Sequence, residues 1–320
     1  MSATKDVRVA CRMHDWTRAL LEGQVPDKSL HIVMTEQENV GVDGLVGDQA
    51  KFDYAECGLA GLVQSISKGT PVIGFPAFIR HTFRHSYILI RSDRGINKPK
   101  DLEGKRVGTS WNTTATIWIR GLLQDGYDVD FKKINWLDVG PAGYTTPSGA
   151  NIERAQRGTN LHQMLRDGQL DAIMTFDAEM IHHQGSTTVR RLWDDVRAEE
   201  IAWWKRTHLM PFMNVPACDS SRIKNKLDEA REVFEAFVQA KEIGLQALQN
   251  NRDSGLAWYW EALETQLDVL GVDPVPYSVS KNQKQIETLL RLCAEQGVTD
   301  RQLAVDEVFY AGFDSLTPAH

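Results

Sequence analysis

The stretch Pro76-Ala-Phe-Ile-Arg80-His81-Thr-Phe-Arg84-His85-Ser-Tyr-Ile-Leu-Ile-Arg91 decides how the rest of the chain is read. It follows one apolar run, Pro71-Val-Ile-Gly-Phe75, and ends in another, Tyr87-Ile-Leu-Ile90. Between them lie Arg80, His81, Arg84 and His85, and no acid occurs until Asp93. Two strands joined by such a loop would hold a positive field at one edge of a sheet. That field suits an anionic ligand, and histidines move protons near neutral pH. The alternative for the same residues is a solvated basic loop.

Upstream, Val7–Ala10 reads as a strand that runs into His14-Asp15-Trp16-Thr17-Arg18, where Asp15 or Thr17 can cap a short helix. Leu30–Met34 is a second strand. Phe52-Asp53-Tyr54-Ala55-Glu56-Cys57-Gly58 is a third, ending at a turn. Downstream, Arg106–Thr109 is a strand, and Ser110-Trp111-Asn112-Thr113-Thr114 opens a helix. Hydroxyls at such a start cap the helix or help bind an anion at its positive end. The Gly-, Pro-, Ser- and Thr-rich stretch 141–158 reads as a mobile loop. Helical periodicity marks 220–249, 254–270 and 282–296. Trp203, Trp204, Trp258 and Trp260 read as core or lobe-interface residues.

Short strands alternating with helices argue an α/β protein with mostly parallel sheets. Ligands in such sheets bind beyond the carboxyl ends of the strands. That rule singles out the turns 14–18, 56–58, 77–85, 110–114 and 177–183.

The chain has 320 residues and a net charge of −7, with 42% hydrophobic and 25% charged residues. These are values of a soluble globular protein large enough for two domains, and the charge argues against nucleic acid as a general partner. No stretch approaches a membrane span. The four cysteines, Cys11, Cys57, Cys218 and Cys293, lack metal-ligand spacing and fit a reducing compartment. The first ten residues hold no apolar signal core, so the expected location is cytoplasmic.

The order of elements resembles the type II periplasmic-binding-protein fold, two α/β lobes with a central cleft. On that resemblance lobe I spans 1–93 and 205–320, and lobe II spans 94–204. More specifically, the sequence resembles the 4,5-dihydroxyphthalate decarboxylase family. The resemblance rests on Phe52-Asp53…Glu56, on Pro76…Phe83-Arg84-His85, and on Asp101-Leu-Glu-Gly-Lys-Arg-Val-Gly108. It continues through Thr114-Ala115…Trp118-Ile-Arg-Gly121 and Gly168-Gln-Leu-Asp-Ala172, and covers most of the chain. It implies a lyase of aromatic-compound catabolism that decarboxylates, without oxidation, a hydroxylated aromatic polycarboxylate such as 4,5-dihydroxyphthalate. The other reading of the same fold is a solute-binding protein or ligand sensor for a small aromatic or carboxylate anion. A homo-oligomer is compatible with either.

Such a reaction needs an acid over the ring, a base or metal on the phenol, and a cation for any second carboxylate. Arg84 is assigned to the carboxylate because its fork matches one, with Arg80 as a second candidate. His85 is the preferred proton donor, with His81 and His14 as alternates. For His85 the alternative is a histidine hydrogen-bonded at a strand start. Glu56 is a base or orients a histidine, or is a strand-end acid facing solvent. Trp111 stacks on the substrate ring or packs in the core. Thr113 and Thr114 bind a carboxylate or cap their helix, and Arg18 is a surface or ion-pair residue. Asn214 stands three residues after Pro211, where the family pattern leads one to expect His. No cofactor is required, and a divalent metal is an option through Asp177, Glu179, His182 and His183. The spacing of these four is not HExxH, and a polar solvated helix is the simpler account.

Overall fold

A computed structural model describes residues 5–37, 40–175, 185–252 and 254–318. The chain divides into two compact units. One comprises Met1–His81, Phe212–Glu287 and Leu303–His320; the other comprises Thr82–Pro211 and Thr288–Gln302. In chain order the strands are β1 (Lys5–Cys11), β2 (Leu30–Glu36), β3 (Tyr54–Gly58), β4 (Val72–Gly74) and β5 (Arg80–His81). There follow β6 (Ile88–Arg91), β7 (Arg106–Thr109), β8 (Asn135–Asp138), β9 (Asn151–Arg154), β10 (Ala172–Met174), β11 (Val189–Arg191) and β12 (Phe212–Asp219).

The first unit is built on a sheet of order β2-β1-β3-β12-β4, with β5 also paired to β12. β1 runs parallel to β2 and β3, as expected from the alternation of strands and helices. β12 is the exception: it returns antiparallel to β3, β4 and β5. Its register sets Pro216 opposite Glu56 and Asn214 opposite both Gly58 and Arg80. Side chains two residues apart on a strand share a face, so Glu56, Asn214 and Arg80 lie on one face of this sheet. That face carries an aromatic core. Phe75 lies 5.5 Å from Tyr54, 6.3 Å from Phe234 and 5.7 Å from Phe313. Phe234 comes from the helix Leu227–Gln249, whose buried positions include Ala230, Val233, Phe234, Phe237, Lys241, Gly244 and Leu245. That is the stripe expected of a surface helix, with one cation set in it.

The second unit has the order β11-β6-β10-β7-β8-β9. β7, β8 and β10 form a parallel centre, and β6 is antiparallel to β10 and β11. β9 arises within 141–158, the stretch expected to be a mobile loop. It pairs with β8, and Arg154 on it donates to the buried Asp138 carboxylate.

The unit boundaries differ from the expected lobes, 1–93 and 205–320 against 94–204. β6 pairs only within the second sheet, so the switch comes at 81/82, before that strand. The segment 288–302 belongs with the second unit rather than the first, because of one interior knot. Arg120, fully buried, lies 3.9 Å over the Trp111 ring and donates Nε to Gln296 Oε1 at 2.7 Å. Trp111 Nε1 donates to the Gln296 carbonyl at 3.0 Å, and Gln296 Nε2 to the Ile117 carbonyl at 3.1 Å. The Trp118-Ile-Arg-Gly121 motif is therefore a packing motif. Arg120 carries the knot, and Gly121 lets Leu292 approach its helix.

A Cβ built at Gly121 would stand 2.2 Å from Leu292 Cδ1. Helix propensity alone favours Ala over Gly by about 0.8–1 kcal/mol. Overpacking costs about 1–3 kcal/mol and outweighs it. Gly121→Ala is expected to lower stability, read as a fall in the urea midpoint at unchanged slope.

Candidate active site

The residues singled out in the sequence separate into two groups, one in each unit. In the first unit, His14, Glu56 and Asn214 come together. Glu56, on β3, is 2% exposed. Its Oε2 accepts from the Arg12 backbone N–H at 2.8 Å, just beyond β1. Its Oε1 accepts from Asn214 Nδ2 at 2.7 Å and lies 3.3 Å from His14 Nε2. Two N–H donors and an imidazole nitrogen thus meet the hydrogen-bonding needs of this buried carboxyl group. His14 is held by its own turn. Thr17, fully buried, donates its hydroxyl to the Arg12 carbonyl at 2.7 Å and accepts from the His14 N–H at 2.9 Å. Thr17 thus stands at the N-cap position of the next helix, but its side chain makes no cap hydrogen bond. Asp15 is exposed, and Arg18 forms a surface pair with Glu22 at 3.5 Å.

The same turn supplies Trp16, which stacks on His81 with centroids 5.9 Å apart and planes within 9°. Gly244 on the long helix makes room for this turn: a Cβ there would stand 2.4 Å from the Asp15 carbonyl oxygen. His81 Nδ1 lies 3.4 Å from the Phe78 carbonyl, a weak contact that leaves Nε2 as the other polar atom of the ring. Burial and then the nearby Lys241 ammonium hold the His81 pKa down to about 4. Its imidazole is therefore neutral at physiological pH. Arg80, half-buried beside it, makes no ion pair or hydrogen bond among the described side chains.

Behind this edge sit three residues that sequence reading missed. Lys241 Nζ binds both Asp273 carboxylate oxygens at 2.7 Å and the Val275 carbonyl at 2.8 Å, and lies 4.1 Å over the Tyr277 ring. Burial pulls its pKa down to about 8, against the opposing pull of Asp273. The Tyr277 hydroxyl is buried with no hydrogen-bond partner among the described residues, and burial raises its pKa. One signal was available: Lys241 occupies an apolar-phase position of its helix, four residues after Phe237 and seven after Phe234. Asp273 and Tyr277 lie in an irregular segment and gave none.

The second unit overturns several expectations. His85, the preferred proton donor, is 1% exposed, and its ring is boxed by Phe83, Tyr127, Trp193 and Trp203 with centroids 5.0–6.5 Å away. Among the described residues, Glu200 Oε1 lies 3.9 Å from its Nδ1. Burial and then Arg206 push the His85 pKa down to about 3. In this structure it is a buried group held neutral, with neither ring nitrogen hydrogen-bonded among the described residues. Arg84 is likewise 1% exposed, its guanidinium 4.6 Å over the Tyr87 ring. Trp111 is fully buried in the knot described above and packs against Trp136 and Phe131 rather than presenting a face to a ligand. Thr113 is the N-cap of the helix Thr114–Tyr127 but makes no side-chain cap bond. Its hydroxyl donates to the Ser110 carbonyl at 3.2 Å and meets Thr116 Oγ1 at 2.8 Å. Thr114 is 5% exposed. Trp203 is core, as expected, but Trp258 and Trp260 are 78% and 46% exposed.

A cavity of about 310 Å³ in this unit lies at the carboxyl ends of β7 and β10 and is lined by Ser110, Asn160, His162 and Thr175 among others. Only Ser110 lay in a turn flagged from the sequence. Glu179, with Asp177, His182 and His183, lies outside the described residues. Among the described residues no group of three or more His, Cys, Asp or Glu side chains is placed to hold a metal ion.

Two predictions follow from this geometry. Glu56→Gln replaces an acceptor-only group by one with an N–H₂ end facing donors. It is expected to destabilise the fold by about 1–3 kcal/mol, the cost of unsatisfied buried polar groups, measured by urea unfolding. The second concerns His85. Its folded pKa, about 3, lies below its ordinary value near 6.5. Between those limits the unfolded chain binds a proton that the folded chain does not, so this group makes stability fall as pH drops from 6.5 towards 3. His85→Phe is expected to flatten that slope in unfolding midpoints measured across the window.

The comparisons with known proteins agree with the fold and the sequence resemblance. The NMT1/THI5 like family pattern matches residues 27–254. A 4,5-dihydroxyphthalate decarboxylase of Comamonas testosteroni is 26% identical over 314 residues, 94% of this chain and 95% of that protein. One of Pseudomonas putida is 28% identical over 198 residues, 59% of this chain and 77% of that protein. Among solved structures, the periplasmic aliphatic sulphonate binding protein SsuA of Escherichia coli superposes with a TM-score of 0.58 at 14% identity, over 96% of this chain and 98% of that one. No described helix is long and apolar enough to cross a membrane. With an α/β sheet in each unit and a family match over most of its length, this chain has the type II periplasmic-binding-protein-like fold and belongs to the NMT1/THI5-like family, where it resembles the 4,5-dihydroxyphthalate decarboxylases.

Proposed function

We propose that this protein is a decarboxylase of a hydroxylated aromatic polycarboxylate such as 4,5-dihydroxyphthalate. The observation that carries the reading is His14 and Asn214 gathered on the buried Glu56, with Arg80 opposite Asn214 in the first sheet and without a side-chain partner among the described residues. Its similarity to the two decarboxylases supports the substrate class.

The physical obstacle is an aryl carbanion, which cannot be expelled into water. A phenol para to the carboxylate provides the way round it. As the phenol loses its proton, the ring carbon bearing the carboxylate gains one and becomes tetrahedral in a dienone. The bond to the carboxylate then breaks, its electron pair restores the aromatic phenolate, and carbon dioxide leaves. In net terms a proton replaces carbon dioxide on the ring, with no change of oxidation state in the enzyme. His14 is assigned as the acid: Glu56 holds Nε2, so Nδ1 delivers the proton, and the 15% exposure of the side chain lets water reload it. His81, neutral in its site, is assigned as the acceptor for the phenol proton. Two imidazoles with different environments thereby take opposite roles. Arg80 is assigned to the second carboxylate. Asn214 fixes the Glu56 carboxylate that orients the acid. The chemistry is assigned to these side chains without a cofactor, and a reducing, cytoplasmic setting fits the four buried free cysteines.

The test is carbon dioxide release from a panel of hydroxylated phthalates. His14→Gln is expected to lower kcat by about 10²–10⁴-fold, the usual contribution of a positioned acid. Arg80→Met is expected to raise KM by about tenfold or more, since a charge-assisted hydrogen bond is worth about 1.5–3 kcal/mol. Tight binding of one of these acids with no turnover would sink the enzyme reading and favour the alternative, an anion-binding protein on the same fold.

A further inference from the structure

The turn 14–18 carries more than the acid His14. Its backbone closes with the Thr17 and Arg18 N–H groups donating to the His14 carbonyl at 3.1 and 2.8 Å, and the Thr17 hydroxyl donates to the Arg12 carbonyl. The long helix Leu227–Gln249 seats it. A Cβ at Gly244 would stand 2.4 Å from the Asp15 carbonyl oxygen and 3.1 Å from Trp16 Cε3, so a glycine is what lets the turn lie this close. Trp16, half-buried, is thereby set face to face with His81, with centroids 5.9 Å apart and planes within 9°. His81 has little else to fix its ring: Nδ1 lies 3.4 Å from the Phe78 carbonyl, beyond the usual hydrogen-bond range. Around it, β12 sets Phe212 opposite, the long helix brings Lys241, and the irregular segment after the helix Tyr259–Leu270 brings Asp273. Arg80 precedes it on β5. Burial and the Lys241 ammonium oppose a charge on this ring, and Asp273 is engaged by Lys241. The indole presents a face of negative potential.

We infer that Trp16 is a positioning residue for His81: its indole orients the imidazole and stabilises the imidazolium that forms when the ring accepts a proton. The inference rests on the role of proton acceptor assigned to His81 above. As the phenol O–H bond breaks and the Nε2–H bond forms, the oxygen keeps the electron pair and a positive charge appears on the imidazole. A cation within about 6 Å of an indole centroid is attracted to its face, more strongly where water is excluded. The neutral ring gains no such attraction, so the contact favours the proton transfer over the resting state. One turn, seated on one glycine, then places the acid His14 and steadies the base His81.

In the full-length protein, Trp16 is to be replaced by tryptophans of increasing fluorine content, alongside Trp16→Leu and Trp16→Phe. Fluorination weakens the negative face at nearly constant shape, which keeps the test free of any effect of truncation on folding. In carbon dioxide release from 4,5-dihydroxyphthalate, kcat is expected to fall with each added fluorine. Trp16→Leu is expected to lower it by about 2- to 30-fold, the range a cation–π contact supplies, with KM little changed. Trp16→Phe, which keeps an aromatic face, is expected to recover most of that loss. The His81 ring, followed by NMR and assigned by the loss of its signal in His81→Gln, is expected to bind a proton more weakly as fluorine is added, and so to charge at lower pH than in the wild type. Lys241, Asp273 and Arg80 are the same in every protein, so that change reports the indole. His81 protonation that fluorination leaves unmoved would overturn the inference, whatever the turnover. So would a kcat independent of fluorine content in an enzyme that turns over. A wild type without turnover, whose His81 still responds to fluorination, would remove the decarboxylase reading and leave Trp16 as the group that sets the charge of His81.

Discussion

Buried and, among the described residues, without an ion-pair partner of fixed charge, the Glu56 carboxyl group has to collect hydrogen bonds from whatever surrounds it, and the first unit is arranged so that it can. The Arg12 N–H reaches it from the end of β1, the Asn214 amide from β12, and the His14 ring from the turn between. These three donors tie a parallel strand pair to the antiparallel β12. The register of β12 decides which residues stand there. A one-residue slip would turn Asn214 away from Glu56 and move Arg80 with it. The site is therefore a consequence of strand pairing as much as of side-chain chemistry.

The second unit solves a different problem with a similar device. Its last segment, 288–302, arrives from far along the chain and is held by Gln296, whose amide and carbonyl meet Arg120, Trp111 and Ile117. Arg120 is fully buried, and burial draws its pKa down to about 9 against the opposing Asp138 carboxylate. A stacked guanidinium spreads its charge over the Trp111 face and uses its planar fork for directional bonds. Trp111 and Arg120, which look like chemistry in this part of the sequence, are thus occupied by packing, while Arg84 and His85 are buried against aromatic rings.

Within the first unit the division of labour among imidazoles follows from environment. His14 borders a carboxylate and some solvent. His81 lies half-buried against Trp16, near an ammonium. Burial penalises the charged form of His81, and the nearby ammonium adds to that penalty. The Lys241–Asp273 pair, fixed by the long helix and an irregular segment, supplies the cationic part of that environment for His81.

Much of the architecture was legible in the linear chain. Period-two and period-3.6 patterns report local structure, and the spacing of Val7–Ala10, Tyr54–Gly58, Arg106–Thr109 and 220–249 carries those elements directly. The rule that ligands gather at strand ends pointed to His14 and Glu56 for the same reason, since where a strand stops is a local property. Which side of a boundary a residue faces is not. Arg84 and His85 differ from Arg80 and His81 by only four positions, yet the chain passes from one unit to the other between them, and β6 draws the later pair into an aromatic interior. The partnership of Glu56 with Asn214 spans 158 positions and depends on β12 returning beside β3. Local sequence specifies strands, turns and the residues they carry; long-range strand pairing and burial decided which of those residues keep an open polar face, because solvation and charge are set by neighbours distant in the chain.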